Sequence, residues 1–451
     1  MIEAVRKAFR RIDPAWRAGL LVFILARLFY SLWSFVLVSV VPLAVQNITL
    51  GGEPILTVFD LRQNSGYVFS RQVDGQVLTF RAAGRSTVTD LQNRDLWDIN
   101  SGRAIAGKFT GESLSPADYH PSDIFPSQGV AASRSPLLAV WQRFDTNWYL
   151  KIASSGYSGE DGSTAFFPFY PLLIRLAGFL LGNDLLAALL ISSLALLGAL
   201  VLLRNLAAEL TDPRTADRTL LYLMIFPTSF FFFAAYTEGL FLFLVLASWQ
   251  SARRRLWWLA ALAGVLAALT RLQGVLLILP LAYMWVTQKE RRRWWQAVAL
   301  LAIPTATLAF FLFTKTAMAS DLQNLWHGIF LWPWQNIWAA LTQIGSGTGS
   351  VIDVLNLAAT VLFGFLCIPA WKRLPHEWFL YMLVMILVPI FRMNATQPLV
   401  SMSRYVIVLF PGFLLLGMWG KNPWVNRLIV YLGVLAALYF SAQFLSWGWV
   451  A

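Results

Sequence analysis

Cysteine, histidine and charged residues are all scarce in this sequence of 451 residues. The single cysteine, Cys367, excludes a disulfide framework, and the three histidines lack the spacing of a zinc motif. Charged residues make up only 13% of the chain and apolar residues 58%, whereas about a quarter of the residues in soluble domains are charged. The composition therefore excludes an ordinary soluble domain and indicates an integral membrane protein.

Long apolar runs recur along the chain, and clusters of basic residues flank them. The first run, 18–45, follows a cluster at Arg6, Lys7, Arg10, Arg11 and Arg17, so the positive-inside rule places the N-terminus in the cytoplasm. Further clusters lie at 204–218, 253–255, 289–293, 372–373 and 421–427, each two spans from the last. This spacing predicts an all-α polytopic membrane protein with about eleven transmembrane helices. The net charge of +12 then marks cytoplasmic loops rather than a surface that binds nucleic acid.

The pattern predicts four regions. Residues 1–45 form the cytoplasmic N-terminus and first transmembrane helix, and 46–140 form a small extracytoplasmic insert of mixed or β structure in the first outer loop. Residues 141–183 continue this loop with interfacial helices, and 184–451 form the transmembrane bundle. Within the insert, Asp74-Gly75 between 67–69 and 76–80 predicts a β-hairpin with a two-residue turn. The stretch 166–181 contains Pro168, Pro171 and Arg175, which favour a short interfacial helix over a span.

Polar side chains gather at the outer ends of the predicted spans, where apolar surroundings make them costly unless they line a wet cavity. They are Arg143, Asp145, Lys151, Tyr236, Glu238, Arg271, Gln273, Arg392 and Arg404. Their convergence predicts a site for an anionic, lipid-borne or amphipathic substrate. Structural alternatives stay open: Arg271 and Arg404 are also placed to snorkel at a span end, and Asp145 to cap a helix.

Several segments together resemble the PIG-V family of mannosyltransferases. They are Arg143-Phe144-Asp145-Thr146-Asn147-Trp148-Tyr149, Gly156-Tyr157, Phe166-Phe167-Pro168-Phe169-Tyr170-Pro171, Phe226-Pro227-Thr228-Ser229-Phe230, Tyr236-Thr237-Glu238-Gly239, Thr270-Arg271-Leu272-Gln273-Gly274 and Ser403-Arg404-Tyr405. The resemblance runs in order from about residue 141 to residue 411. Three features depart from the family pattern: Phe144-Asp145 replaces the common Trp-Asp pair, Glu238-Gly239 replaces Glu-Ser, and the large insert precedes Asp145.

The resemblance implies a fold and a reaction of the GT-C class. Such enzymes transfer a sugar from a polyprenyl (dolichyl-type) phosphate donor to a lipid or glycan acceptor on the extracytoplasmic face. By this resemblance Asp145 is the general base of an inverting transfer. Arg271, Arg404, Arg392 and Lys151 are the candidate ligands of the donor phosphate, because guanidinium groups match phosphate with two parallel donors. Contacts with substrate are expected from Arg143, Asn147, Trp148, Tyr157, Tyr236, Glu238 and Gln273.

No Asp-x-Asp pair occurs in the chain, so the metal-bound nucleotide-sugar site of soluble glycosyltransferases has no candidate ligands. We therefore expect no obligatory cofactor, although some GT-C relatives bind a divalent cation. The expected partners are polyprenyl-phosphate mannose, a lipid or glycan acceptor and membrane lipids, with no nucleic acid. The expected location is a bacterial plasma membrane, or the endoplasmic reticulum membrane in a eukaryote.

Three other functions fit parts of the pattern. A secondary transporter would show a repeated half and charges near the bilayer midplane, neither of which is apparent. A flippase for polyprenyl-phosphate-linked lipids would need the basic residues but not Asp145. A structural scaffold would leave the convergence of Asp145, Glu238, Arg271 and Arg404 without a role.

Overall fold

A computed structural model describes residues 13–159, 161–288, 293–320, 328–394 and 397–450. Most of the basic residues that orient the first predicted helix, Arg6, Lys7, Arg10 and Arg11, lie outside this part. The described residues are mostly helical, as predicted, and the chain divides into two compact units. One unit consists of Phe29–Lys151 with Ala442–Trp449, and the other contains the remaining residues.

From Asp145 onward most helices follow one another with short connections, whereas strands separate Pro14–Val40 from the later helices. The α-helices are Pro14–Val40, Pro121–Ile124, Pro136–Ala139, Asp145–Ser155, Phe169–Leu181, Asp184–Leu210, Pro213–Met224, Glu238–Arg253, Trp257–Ala268, Ile278–Thr287, Trp294–Ser320, Pro333–Gly345, Val351–Arg373, His376–Ile390, Met402–Tyr405, Phe410–Trp419 and Pro423–Leu445. Short 3₁₀ helices cover Ser163–Ala165, Ser229–Phe232, Leu272–Leu277 and Val406–Val408. The basic clusters of the described part therefore fall at or near helix ends.

Several helices are long and apolar enough to cross a membrane. Five meet this condition in the described part of the chain: Pro14–Val40, Asp184–Leu210, Trp294–Thr314, Val351–Arg373 and Pro423–Leu445. A sixth crossing results if Met402–Val408 and Phe410–Trp419, bent by 81°, form one broken span. Other apolar helices, such as Trp257–Ala268, are shorter than the roughly 20 residues that a bilayer core requires. The helices therefore indicate an integral membrane protein with five or six candidate spans, and the count of eleven stays a prediction.

The stretch 166–181 contains a short helix, as the prolines predict. The helix Phe169–Leu181 begins directly after Pro168 and ends at Gly182, whose φ of 66° stops the helix. Its 13 residues are too few for a span. Phe179 and Leu180 are 88% and 81% exposed, so one end of the helix presents apolar side chains outward. Its location at a membrane interface stays a prediction.

Small antiparallel sheets occupy the unit that contains Phe29–Lys151. The strands β1 (Leu43–Leu50), β2 (Glu53–Asp60) and β3 (Ser65–Ser70) form one sheet in that order. The strands β4 (Gln72–Val73) and β5 (Gln76–Val77) form a hairpin, and β6 (Phe80–Ala82), β7 (Thr87–Asp90), β8 (Leu96–Asp98) and β9 (Ala104–Ala106) form a four-stranded sheet. In the other unit, β10 (Gly328–Phe330) pairs with β11 (Arg392–Asn394).

The predicted two-residue turn at Asp74-Gly75 is confirmed, but its first strand is not the predicted one. Asp74 and Gly75 have φ values of 48° and 74°, as in a type I′ turn, and the turn joins β4 to β5. Residues 67–69 belong instead to β3, whose Tyr67 lies opposite Val58 of β2. The turn follows from two adjacent residues, whereas the partner of β3 depends on packing along the whole of β2.

The core of this unit forms around Trp97, which is fully buried. The rings of Phe80 and Phe109 lie 6.1 Å from it on either side. The indole Nε1 donates to the buried carboxylate of Asp90 at 3.1 Å, and the backbone N–H groups of Asn93 and Asp95 donate to the same carboxylate. A buried charge with several donors avoids most of the cost of desolvation, so Asp90 stabilises the turn between β7 and β8.

Candidate functional site

Glu238 is the centre of a buried ionic cluster. It opens the helix Glu238–Arg253, where an acidic side chain faces the positive end of the helix dipole. Its side chain is 0% exposed, and its Oε1 accepts hydrogen bonds from Arg271 Nη1 and from Arg404 Nε, the latter at 2.5 Å. Oε2 is buried and has no hydrogen-bond partner within the described residues. Two guanidinium groups thus share one carboxylate, and the cluster keeps a net positive charge.

Arg271 reaches the cluster because the chain leaves a helix just before it. The helix Trp257–Ala268 ends, and Arg271 is extended with φ −150° and ψ 144° before a 3₁₀ turn begins. The turn packs tightly onto the helix because residue 274 is glycine. A Cβ at Gly274 would lie 2.4 Å from the carbonyl carbon of Ala267. The Thr270–Gly274 motif is therefore a chain reversal that places an arginine on Glu238.

The guanidinium of Arg271 makes hydrogen bonds to the described residues through one of its three nitrogens. Its Nη1 donates to Thr237 Oγ1 at 3.2 Å and to Glu238, and these are the hydrogen bonds that the Arg271 side chain makes within the described residues. The guanidinium carbon lies 5.6 Å from the ring centre of Tyr405, and 10% of the side chain is exposed. Among the described residues, no group accepts a hydrogen bond from the edge formed by Nε and Nη2, and this edge has the geometry to bind a ligand with two parallel acceptors.

Arg404 lies in the short helix Met402–Tyr405, and its guanidinium contacts two buried aromatic rings. Its guanidinium carbon is 4.5 Å from the ring centre of Tyr236 and 5.1 Å from that of Phe231. The preceding residue is held from two sides, because Ser403 N–H donates to Asn356 Oδ1 at 2.9 Å and Ser403 C=O accepts from Thr228 Oγ1 at 2.6 Å. The Phe226–Phe230 motif thus fixes the backbone that presents Arg404 to Glu238.

Sequence reasoning missed a hydrogen-bonded link between two motifs. Tyr170 of the Phe-Pro-Phe-Tyr-Pro segment shares a hydrogen bond of 2.7 Å with Ser192 Oγ, which donates to Tyr236 C=O at 2.8 Å. Gly239 follows Glu238 on this side, and a Cβ there would lie 2.8 Å from the Ser192 carbonyl oxygen. The close approach explains glycine at this position in place of the family's common serine. Ser192 lies in the mostly apolar helix Asp184–Leu210 and carries no sequence signal of its own.

An apolar cavity of about 460 Å³ opens beside the Arg271 segment. It is lined by Tyr157, Pro168, Leu269, Ala306, Ala309, Phe310 and Phe313. Tyr157 turns its hydroxyl away from the cavity and donates it to Phe166 C=O at 2.8 Å. Leu269 precedes Arg271 by two residues, so their Cα atoms are at most about 7.6 Å apart. The cavity is therefore close to Arg271 along the chain.

Two further predicted residues of this unit have different outcomes. Gln273 is half-buried in the turn after Arg271. The backbone of Arg392 belongs to β11, but its side chain lies outside the described part, so its predicted role as a phosphate ligand stays a prediction.

Asp145 begins the helix Asp145–Ser155 in the other unit. Its side chain is largely buried, with 9% of the residue exposed. Asn147 is buried and donates from Nδ2 to Pro126 C=O at 3.1 Å. The ammonium of Lys151 lies 5.1 Å from the ring centre of Trp148, which is half-buried. Four predicted site residues thus share one short helix, and Lys151 already makes a cation–π contact.

Arg143 is bound by the protein itself, which argues against the predicted contact with substrate. The residue is 0% exposed, and its Nε donates to Leu445 C=O at 3.0 Å. Its Nη1 donates to Asn64 Oδ1 at 3.1 Å and to Ala139 C=O at 2.8 Å. Burial lowers the pKa of Arg143 to about 9, so the guanidinium keeps its proton at neutral pH. The geometry gives Arg143 a structural position beneath the Asp145 turn.

A family model described as Mannosyltransferase (PIG-V) matches residues 104–313, which confirms the expected resemblance from residue 141 to residue 313. Two curated relatives are named GPI alpha-1,6-mannosyltransferase 2. The protein of Rattus norvegicus is 32% identical over 173 residues, and that of Mus musculus is 33% identical over 179 residues. Each alignment covers 35% of this chain, and it covers 34% of the rat protein and 35% of the mouse protein. The match therefore spans about a third of the curated relatives.

Solved structures show weaker likeness. ArnT from Cupriavidus metallidurans bound to undecaprenyl phosphate aligns with a TM-score of 0.40 and 14% identity, over 66% of this chain and 70% of that one. An oligosaccharyltransferase from Archaeoglobus fulgidus aligns with a TM-score of 0.36 and 11% identity, over 66% of this chain and 48% of that one. Scores of this size do not establish a shared fold.

Proposed function

Residues 104–313 match the PIG-V mannosyltransferase family, and from this premise we propose that the protein is an inverting mannosyltransferase of the GT-C class. In this proposal, mannose moves from a polyprenyl phosphate to a lipid or glycan acceptor on the extracytoplasmic face of the membrane. The N-terminus is cytoplasmic, and the chain crosses the membrane about eleven times. The observation that carries the proposal is the Arg271–Glu238–Arg404 cluster, with the Nε–Nη2 edge of Arg271 open to a ligand.

The cluster suits the phosphate of the donor. A carboxylate that contacts both guanidinium groups limits their motion, and the remaining positive charge favours an anion. Because the cluster is shielded from water, its attraction for phosphate is stronger than that of arginines at an open surface. Negative charge on the phosphate grows as the sugar leaves, so fixed donors also stabilise the transition state.

The apolar cavity suits the prenyl chain of the same donor. Its lining consists of aliphatic and aromatic side chains, and four of the lining residues lie on the candidate span Trp294–Thr314. A phosphate at Arg271 would place the first isoprene units beside Leu269. This arrangement supports a lipid-linked donor over a soluble nucleotide sugar, which would need no apolar wall.

Asp145 is proposed as the general base. The acceptor hydroxyl attacks the anomeric carbon of mannose, its proton passes to the Asp145 carboxylate, and the bond from that carbon to the phosphate oxygen breaks. Polyprenyl phosphate leaves, and the anomeric configuration inverts because attack and departure occur on opposite faces. A base at the start of a helix has a fixed direction, which general base catalysis requires.

The test is a transfer assay with purified protein, radiolabelled polyprenyl-phosphate mannose and a panel of glycolipid and glycan acceptors. We expect Asp145→Asn to reduce the rate of transfer at least about a hundredfold while binding of polyprenyl phosphate is kept. Glu53→Gln is the matched control, because Glu53 is an exposed carboxylate of the same unit. Undiminished transfer by Asp145→Asn would remove the base from the mechanism.

A second arm separates transfer from lipid translocation. In vesicles, a flippase would keep translocating labelled polyprenyl-phosphate lipid in the Asp145→Asn variant and would show no transfer in the wild type. Arg404→Ala should raise the KM for the donor while the protein remains folded, as thermal unfolding would show. An unaltered donor KM in this variant would mean that Arg404 has a purely structural role.

A further inference from the structure

The residue before Asp145 has a backbone conformation that its side chain does not favour. Phe144 has φ 47°, in the left-handed region that non-glycine side chains disfavour. Asp145 N–H and the first turn of its helix follow from this conformation, because Asn147 N–H donates to Phe144 C=O at 3.0 Å. The direction of the Asp145 side chain is therefore set by a strained residue that neighbouring groups must hold in place.

The groups that hold Phe144 come from the segment Ala442–Trp449, about 300 residues further along the chain. The Phe144 ring lies 5.2 Å from the ring of Trp447, 5.1 Å from Trp449 and 5.8 Å from Phe444. Trp447 is also left-handed, with φ 61°. Two strained aromatic residues thus pack against each other, and neither conformation follows from local sequence.

Arg143 also binds the segment Ala442–Trp449. Its Nε donates to Leu445 C=O, and its guanidinium carbon lies 5.0 Å from the ring centre of Trp447 and 4.9 Å from that of Phe59. Phe59 also contacts Trp447, with ring centres 5.7 Å apart. The residues on either side of Phe144 therefore differ in role: the side chain of Arg143 is held by the protein, and that of Asp145 is the proposed base.

We propose that Arg143, Phe144 and Trp447 are positioning residues that aim the Asp145 carboxylate through the contact between Phe144 and the segment Ala442–Trp449. This inference rests on the proposed role of Asp145 as the base. None of the three touches the substrate in this account. Loss of the Trp447 ring lets the Phe144 backbone relax to negative φ. This change rotates Asp145, the first residue of the helix, so that its carboxylate no longer points in the direction that catalysis requires.

The test measures kcat, donor KM and polyprenyl phosphate binding for Trp447→Ala and Trp447→Phe. A misplacement of about 1 Å in a catalytic group costs about a hundredfold in rate. We therefore expect Trp447→Ala to lower kcat about ten- to a hundredfold with the donor KM and binding stoichiometry unchanged, and Trp447→Phe to recover most of the rate. Phe109→Ala is the control for plain destabilisation, because Phe109 is a core residue that packs on Trp97.

A double variant decides whether Trp447 acts through Asp145. If it does, Asp145→Asn with Trp447→Ala is no slower than Asp145→Asn alone, whereas independent effects would multiply. Multiplying effects, or equal losses per bound donor in Trp447→Ala and Phe109→Ala, would overturn the positioning role. Full activity of Asp145→Asn would instead overturn the base assignment, so the two failures are distinguishable.

Discussion

Arg404 Nε donates to Glu238 Oε1 at 2.5 Å, and the two side chains are 9% and 0% exposed. An ion pair this well shielded stabilises the fold only while both partners are charged, because each charge alone would be strongly disfavoured by burial. Arg271 shares the same carboxylate oxygen, so one acidic group balances two basic ones. Glu238 is therefore the residue on which the geometry of both arginines depends.

Glu238→Gln should strongly destabilise the protein. Loss of the carboxylate leaves two buried guanidinium groups without a counter-charge, and breaking a buried pair in this way costs about 3–5 kcal/mol. Thermal unfolding in detergent measures the effect. Glu209→Gln is the control: Glu209 pairs with Arg253 at 2.7 Å, but the two side chains are 49% and 34% exposed. It should cost no more than about 1 kcal/mol. Equal melting temperatures for the two variants would contradict the buried cluster.

Gly239→Ser should reduce stability although serine is the residue that the family pattern commonly has at this position. The added Cβ would meet the Ser192 carbonyl oxygen at 2.8 Å, and this oxygen belongs to helix backbone that cannot move freely. Overpacking of this kind costs about 1–3 kcal/mol. Gly364→Ser is the matched control, because Gly364 is also helical and nothing lies within 4 Å of its Cβ position. A neutral Gly239→Ser would show that the two helices separate easily here.

The sequence predicted the members of the cluster but not how they bind one another. The positions of Glu238, Arg271 and Arg404 at the ends of apolar runs indicated that they converge, since charges in such places need partners. Which arginine nitrogens face the carboxylate depends on the Thr270–Gly274 reversal and on the Ser403 hydrogen bonds, and these involve residues far apart in the chain. Local turn chemistry was readable in the same way at Asp74-Gly75, while the pairing of β3 was not.

The position of Arg143 could not be predicted from the sequence. Beside Asp145, a basic residue in a polar outer loop suggests substrate contact, and the local sequence contains nothing against it. The contact that decides its role is with Leu445, 302 residues away. Burial by a distant segment has no sequence pattern at either end, so this assignment required the structure.

Asp212→Ala should lower stability at neutral pH and lose its effect in acid. Asp212 caps the helix Pro213–Met224: its carboxylate accepts from Thr215 Oγ1 at 2.7 Å and from Thr215 N–H at 2.9 Å, and Lys421 lies 3.1 Å away. These bonds hold the pKa of Asp212 below its ordinary value. The carboxylate therefore stabilises the fold above the pKa of the unfolded chain, near 4, and this contribution disappears as the pH falls further.

Melting curves of wild type and Asp212→Ala between pH 8 and pH 3 test this dependence. The two free energies of unfolding should differ by about 1 kcal/mol from pH 8 to about pH 5, and the difference should shrink as the pH falls below about 4. Asp217→Ala is the control, because Asp217 is 51% exposed and its partner is Arg204. A constant gap down to the lowest pH would mean that the cap does not depend on the ionised carboxylate.

Ala309→Trp should impair use of long-chain donors. Ala309 lines the apolar cavity, and an indole there would occupy the space that the first isoprene units are proposed to fill. Loss of burial equivalent to about two methylene groups corresponds to about a tenfold weaker affinity, so the KM for a long-chain polyprenyl-phosphate mannose should rise about tenfold or more. A donor that carries a methyl group in place of the prenyl chain should be affected much less. Ala302→Trp, on the same helix but outside the cavity lining, should leave both KM values unchanged. An equal rise in KM for the two donors would mean that the prenyl chain binds elsewhere. It would not test the phosphate site at Arg271, which substitutions of the arginines test separately.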